Sequence, residues 1–279
     1  MNASTTTRTG RIEARRAARG PVTEYAARAG LTARGVIYLL VGVLALQIAF
    51  GGSGKQADRG GALAEIAQKP FGAVLLWALG LGLVGMALWR LSEVVFGSVG
   101  PDGGKAKKRL LSAGRCVFYS FTAYSVLSFA AGSRGSGSGS SDKQSQDVTA
   151  KVLGLPAGQW IVGAAGAGIV VAGVWIGTRA VLRKFHKKMK LGEMSARTRK
   201  LVDVTGVGGG AARGLVFAVA GGFAIRAAVE FEPDKAKGLD NTIRSFADTP
   251  AGPWLLVCVA VGLVLFGLFS FAMARWRRV

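Results

Sequence analysis

Three arginines each head the same short pattern. Arg34, Arg115 and Arg213 are followed four residues later by an aromatic side chain, Tyr38, Tyr119 and Phe217, and eight residues later by a small residue, Gly42, Ala123 and Gly221. Spacings of four and eight keep these positions on one face of a helix, so each guanidinium is placed beside a ring. A guanidinium is planar, permanently charged and rich in donors, which suits it to phosphate or carboxylate. Gathered around one axis, the three would form an anion-binding or gating ring, or a ring for lipid head groups. The alternative is that each extends its charge to a membrane surface and marks where an apolar helix leaves the hydrocarbon.

Other chemistry-bearing residues are sparse. His186 is the single histidine and stands among Lys184, Lys187 and Lys188, where a solvated loop is expected rather than a base or a ligand. Cys116 and Cys258 fall near opposite ends of different apolar runs, which argues against a disulfide and for small apolar fillers. The run Gly206 to Gly210 has no strand before it and no Gly-Lys-Ser/Thr after it, so it reads as a hinge ahead of the fifth span, not a phosphate loop. Arg226 with Glu230, and Arg90 with Glu93, have the spacing of helical ion pairs that anchor the ends of spans. Gln47, Thr122, Ser125 and Ser128 suit hydrogen bonds between helices. No acid, base and nucleophile share a location and no cluster has metal-ligand spacing, so neither an enzyme nor a bound cofactor is expected.

The elements that would position these residues are apolar helices. Half of the 279 residues are hydrophobic although the net charge is +21, and the charges are segregated from the apolar runs. Phe71 to Trp89, Gln159 to Thr178 and Ala251 to Ala274 contain no charged side chain and are long enough to cross a hydrocarbon core of about 30 Å. Leu31 to Phe50, Gly114 to Ala131 and Gly210 to Val229 are shorter or carry an arginine, and the repeat completes them to six spans.

A second anchor recurs after each arginine pattern: Pro70-Phe71-Gly72, Pro156-Ala157-Gly158 and Pro250-Ala251-Gly252, read as opening the second helix of each unit. Twelve positions on stand Gly82, Gly168 and Gly262, and nineteen on stand Trp89, Trp175 and Phe269, a shared face for close helix packing. Between the two helices of a unit lies a short amphipathic piece, carried by Leu63 and Ile66, Thr149 and Val152, and Ile243 and Phe246, expected to lie as an interfacial helix on the bilayer. The Gly/Ser-rich stretch 132–141 makes the second copy the most degenerate. The expected fold is all-α and integral to the membrane: six transmembrane helices, as three two-helix repeats around a pseudo-three-fold axis, with short helices in the outer loops. A basic tail covers 1–24, and the repeats cover 25–100, 101–190 and 191–279.

Counted along the chain, Lys and Arg in the segments flanking the spans number seven, three, six, three, ten, four and three. Basic residues are retained in the cytoplasm, so this alternation places both termini inside a bacterial plasma membrane. A cleaved signal peptide is rejected: no A-x-A pattern follows Leu46, and the same run recurs twice as an internal helix. The longest basic loop, Arg179 to Lys200, suits anionic lipid head groups; aromatic interleaving for nucleic acid is absent, and no protein partner is specified.

Arginine and aromatic on the first helix, an amphipathic linker, then Pro-x-Gly opening a Gly-rich second helix: this order resembles the bacterial membrane family known as domain of unknown function 1206. The resemblance covers about Tyr25 to Arg278 and implies tandem two-helix repeats. It departs at Cys116, where Gly35 and Gly214 follow the other two arginines, and in the second linker. It implies no chemistry. The expected function is that of a non-catalytic structural or regulatory membrane component, with a small-solute, anion or ion transporter as the alternative.

Overall fold

Apolar runs rich in Ala, Leu, Val and Gly become helices because hydrocarbon offers their backbone groups no other hydrogen-bond partner. A computed structural model describes residues 21–51, 56–97, 106–132, 141–247 and 252–278. Among them run six long helices, α1 Pro21–Ala49, α3 Gly72–Phe96, α4 Ala106–Ala130, α6 Gly158–Val181, α7 Ala196–Glu230 and α9 Gly252–Trp276. Three short helices, α2 Arg59–Ala67, α5 Ser141–Leu153 and α8 Leu239–Ser245, stand between the members of each pair. Five long helices are apolar enough to cross a membrane: α1, α3, α6, α7 and α9. The sixth, α4, is diluted by Lys107, Lys108, Arg109 and Arg115 in its first ten residues. Residues 1–20 of the basic tail, most of the Gly/Ser-rich stretch and Pro250 lie outside the described residues, and 21–24 of that tail form the first turn of α1.

The second helix of each unit packs most closely on the first helix of the next: α3 on α4, α6 on α7, and α9 back on α1. Glycines make these approaches possible. A Cβ on Gly42 of α1 would stand 2.7 Å from the Val264 backbone nitrogen of α9, and one on Gly221 of α7 would stand 2.7 Å from the Gly166 carbonyl oxygen of α6. At the third equivalent position Ala123 is buried on α4. The eighth-position face of the sequence pattern is therefore the seam between units.

The face of Gly82, Gly168 and Gly262 makes the other seam, within each unit, and makes it only twice. On α3, a Cβ at Gly82 would meet Ala33 of α1 at 3.1 Å; on α9, one at Gly262 would meet Ala212 of α7 at 2.2 Å. On α6, Gly168 has nothing within 4 Å. The aromatic partners follow the same division: Trp89 and Phe269 are buried, whereas Trp175 is 59 % exposed. Helices α4 and α6 scarcely touch, and the second unit is open along its own seam.

Three sequence expectations are corrected here. Gly206 to Gly210 is not a hinge but lies inside α7, which starts at Ala196; its glycines let α7 press on Phe185, Phe266 and Ala180. The prolines do not begin the second helix of each unit. Those helices start at the glycines, and Pro70 and Pro156 sit two residues earlier in a corner whose middle residues, Phe71 and Ala157, adopt φ of 62° and 61°. A Cβ on Gly72 would stand 2.3 Å from the Ile66 carbonyl oxygen and one on Gly158 1.9 Å from that of Val152, so the corner needs glycine for its close approach. Finally, the short helices turn their apolar residues into the protein: Leu63, Ile66, Ile243 and Phe246 are buried in the core clusters.

The short helices are tied in a closed cycle of carboxylates. Asp58, at the start of α2, accepts from the Ser141 N–H of α5 at 2.7 Å. Asp142 of α5 accepts from the Asn241 N–H of α8 at 3.1 Å, and Asp240 of α8 accepts from the Ala57 N–H just before α2 at 2.7 Å. Each unit thus caps the next with a buried aspartate. Burial pushes the Asp142 carboxyl above its ordinary pKa; the Asn241 amide partly opposes this, and nearby Asp240 and Asp58 add to it. At the opposite end, the segment after α6 pairs Met189 with Arg277, and the Arg28 guanidinium of α1 donates to the Ala274 and Arg275 carbonyls of α9, both at 2.9 Å.

Candidate functional site

Arg34 lies near the middle of α1, on the face that meets α9. Its Nε donates to the Ser270 hydroxyl at 3.2 Å, and its guanidinium carbon stands 5.2 Å from the Phe266 ring centre. It is 9 % exposed, so it does not extend to a surface. Arg213, at the centre of α7, approaches the same ring at 4.9 Å and also faces Phe217 and Tyr38, at 5.2 and 5.6 Å. Its Nε is buried without a hydrogen-bond partner. Tyr119 of α4 is buried in the field of both arginines.

The repeat thus brings two of its three arginines together around Phe266, each with its own aromatic partner close by. Arg115 is left apart. It is exposed on α4 and lies toward Arg90 and Glu93, which pair at 2.6 Å near the Trp89 ring. Among the described residues no carboxylate is within ion-pair distance of Arg34, Arg115 or Arg213. A buried and a half-buried cation that share one ring, with no counter-ion among the described residues, are electrostatically costly in a low-dielectric interior, and the rings relieve only part of that cost.

Arg34 and Arg213 line one end of a cavity of about 630 Å³. Its walls are apolar, from Ile37, Val41, Phe118, Val162 and Phe217, and its far end reaches Asp58 and Ser141 of the aspartate cycle. It occupies the place where α4 and α6 would have met. Phe118 and Phe121 of α4 and Ile161 and Ile169 of α6 line it while remaining exposed, so the cavity opens sideways between those two helices.

The other sequence candidates are placed as follows. Arg226 donates to Glu230 at 2.6 Å, as its spacing predicts. His186 is not in a solvated loop. It is half-buried, hydrogen-bonded to Asp203 of α7 and packed edge-on against Phe185. Nothing local in the sequence announces a partner 17 residues away. Thr122 donates back to the Phe118 carbonyl of its own helix at 2.7 Å instead of bridging helices. Cys258 is exposed and Cys116 is half-buried, and both are free thiols. The aspartate cycle escaped the sequence reading because Asp58, Asp142 and Asp240 stand at different distances from the anchoring prolines.

Compared with known proteins, the chain matches the family described as Domain of Unknown Function (DUF1206) three times, over residues 29–97, 112–183 and 208–277. Each match holds one arginine pattern or its immediate surroundings and one Pro-x-Gly corner. The chain belongs to this family. The resemblance seen in the sequence is borne out, and the DUF1206 unit corresponds in the structure to a long helix, a short helix and a second long helix. The chain is also similar to Uncharacterized protein YxxB of Bacillus subtilis (strain 168), with 31 % identity over 252 residues that make up 90 % of each chain. No solved structure matches it. Neither the DUF1206 description nor the name of that relative assigns a molecular function.

Proposed function

We propose that this DUF1206 chain is a non-catalytic, structural or regulatory component of a bacterial plasma membrane, crossing it six times as three repeats about a pseudo-three-fold axis. The observation that carries this reading is the closed cycle: α3 on α4, α6 on α7 and α9 on α1, repeated at the other level by the aspartates of α2, α5 and α8. A cycle of this kind treats α4 as the equivalent of α1 and α7, which supports counting it as the sixth span despite its basic first turns. The short helices then lie outside. Both termini and the segment between α6 and α7 lie in the cytoplasm, on the side with 26 of the 36 Lys and Arg residues.

On that side, Arg183, Lys184, Lys187 and Lys188 offer a positive surface to anionic head groups, at about 1 kcal/mol per charge near the membrane. The transporter reading gains no observation that favours it. Purification in native lipid particles tests the proposal. Anionic phospholipid should be enriched around the protein relative to the bulk membrane, and replacing Lys184, Lys187, Lys188 and Lys190 by Gln should reduce the enrichment. Unchanged lipid composition in that variant would contradict it.

A further inference from the structure

The cavity between α4 and α6 holds two unneutralised guanidiniums at one end, an apolar barrel above them, and a doorway in its side. We propose that it is a binding site for one single-chain anionic amphipath taken from the bilayer. The carboxylate or phosphate head would lie on Arg34 and Arg213, and the acyl chain along the open seam of the second repeat. This rests on the six-span reading, because the doorway faces lipid only if α4 and α6 both cross the membrane.

Charge selects the head. Arg34 and Arg213 converge on Phe266 from two repeats, neither has a carboxylate partner among the described residues, and there the Nε of Arg213 lacks any hydrogen-bond partner. Their remaining N–H groups suit a carboxylate or phosphate, and a bound anion would remove the repulsion between them. Tyr119 lines the same cavity beside Arg34, so its hydroxyl proton would be available to the same anion.

Shape selects the chain. The volume of about 630 Å³ falls within the range of roughly 300–1,000 Å³ typical of sites that enclose one small ligand. Its walls would hold a hydrocarbon tail and give nothing to the hydration shell of a free ion. Entry is lateral, because the seam closed in the first and third repeats by Gly82 against Ala33 and Gly262 against Ala212 is open beside Gly168. Exposed Phe118, Phe121, Ile161 and Ile169 frame that opening. The degenerate second repeat is thus the one that has exchanged helix packing for a site.

The test uses the full chain in a neutral detergent, with oleate, oleyl alcohol and inorganic phosphate as probes, read by thermal unfolding and by mass spectrometry of the intact complex. Oleate should bind at one molecule per chain and raise the unfolding midpoint, whereas oleyl alcohol and phosphate should not. Arg34→Gln with Arg213→Gln should weaken oleate binding about tenfold or more. Ala165→Trp, which fills the cavity from an exposed position on its wall, should block binding while leaving the unliganded midpoint near that of the parent. Equal stabilisation by oleyl alcohol or by phosphate would overturn the proposal, as would oleate binding that survives Ala165→Trp. Loss of binding in Arg59→Gln but not in the arginine pair would place the head at the wrong end and also overturn it. Topology reporters in cells test the six-span reading separately, so failure of one is not failure of the other.

Discussion

Single residues carry two different burdens in this protein, and Asp142 carries the one that titrates. Asp142 is buried with its carboxyl pKa raised, so the fold favours its protonated form. The resulting destabilisation is absent below the pKa of aspartate in the unfolded chain, grows as pH rises to the raised folded value, and is constant above it. Thermal unfolding followed from pH 4 to pH 7 should therefore show a decline that Asp142→Asn flattens, since the amide oxygen still accepts from Asn241. Asp142→Ala should instead cost about 1–3 kcal/mol at neutral pH by leaving that N–H without an acceptor. Identical pH profiles for the parent and the Asn variant would show that Asp142 does not titrate as described. The arginines were legible as a repeated pattern, but their fates were not. Nothing in Arg-x-x-x-aromatic says that Arg34 and Arg213 will share one ring while Arg115 stays outside.

At the level of elements, glycine position separates a seam from a gap. Gly173 of α6 faces α7 so closely that a Cβ would stand 2.5 Å from the Ala218 nitrogen and 2.6 Å from the Gly214 oxygen. Gly173→Val should therefore destabilise the protein by about 1–3 kcal/mol through overpacking. Gly168→Ala, five residues away on the same helix and with open space around it, should leave the unfolding midpoint unchanged or raise it slightly. Equal losses from both would mean that the second repeat is closed after all. This contrast explains what the sequence could and could not disclose. Helix existence, the repeat and the small-residue faces were readable, because they follow from apolar length and from recurrence at helical spacing. Which helix each face meets was not, because in lipid the outward face is as apolar as the packed one and hydrophobic periodicity loses its direction. Trp89 and Trp175 are equivalent in sequence, yet one is buried and the other exposed. The Gly206 to Gly210 run misled for a related reason: in water it would break a helix, whereas here it is what lets α7 and α9 approach.

For the whole molecule, closure of the cycle matters more than any one contact. The last helix returns to the first, through Gly267 against Leu39, Gly42 against Val264, and the Arg28 guanidinium on the final carbonyls of α9. Arg28→Gln should loosen that closure, lowering the unfolding midpoint modestly and increasing proteolysis at the C-terminal Arg275 and Arg277. Unchanged proteolysis would mean that the helix pair alone holds the ring shut. The proposed topology follows the same closure: if each of the three units crosses twice, the chain returns to its starting side. Membrane-impermeant labelling of single cysteines placed before α1, in α5 and after α9, in intact cells without Cys116 and Cys258, tests this most directly. A six-span chain with both ends inside is labelled in α5 alone, with both ends protected until the cells are opened. Labelling at one terminus but not the other would contradict it.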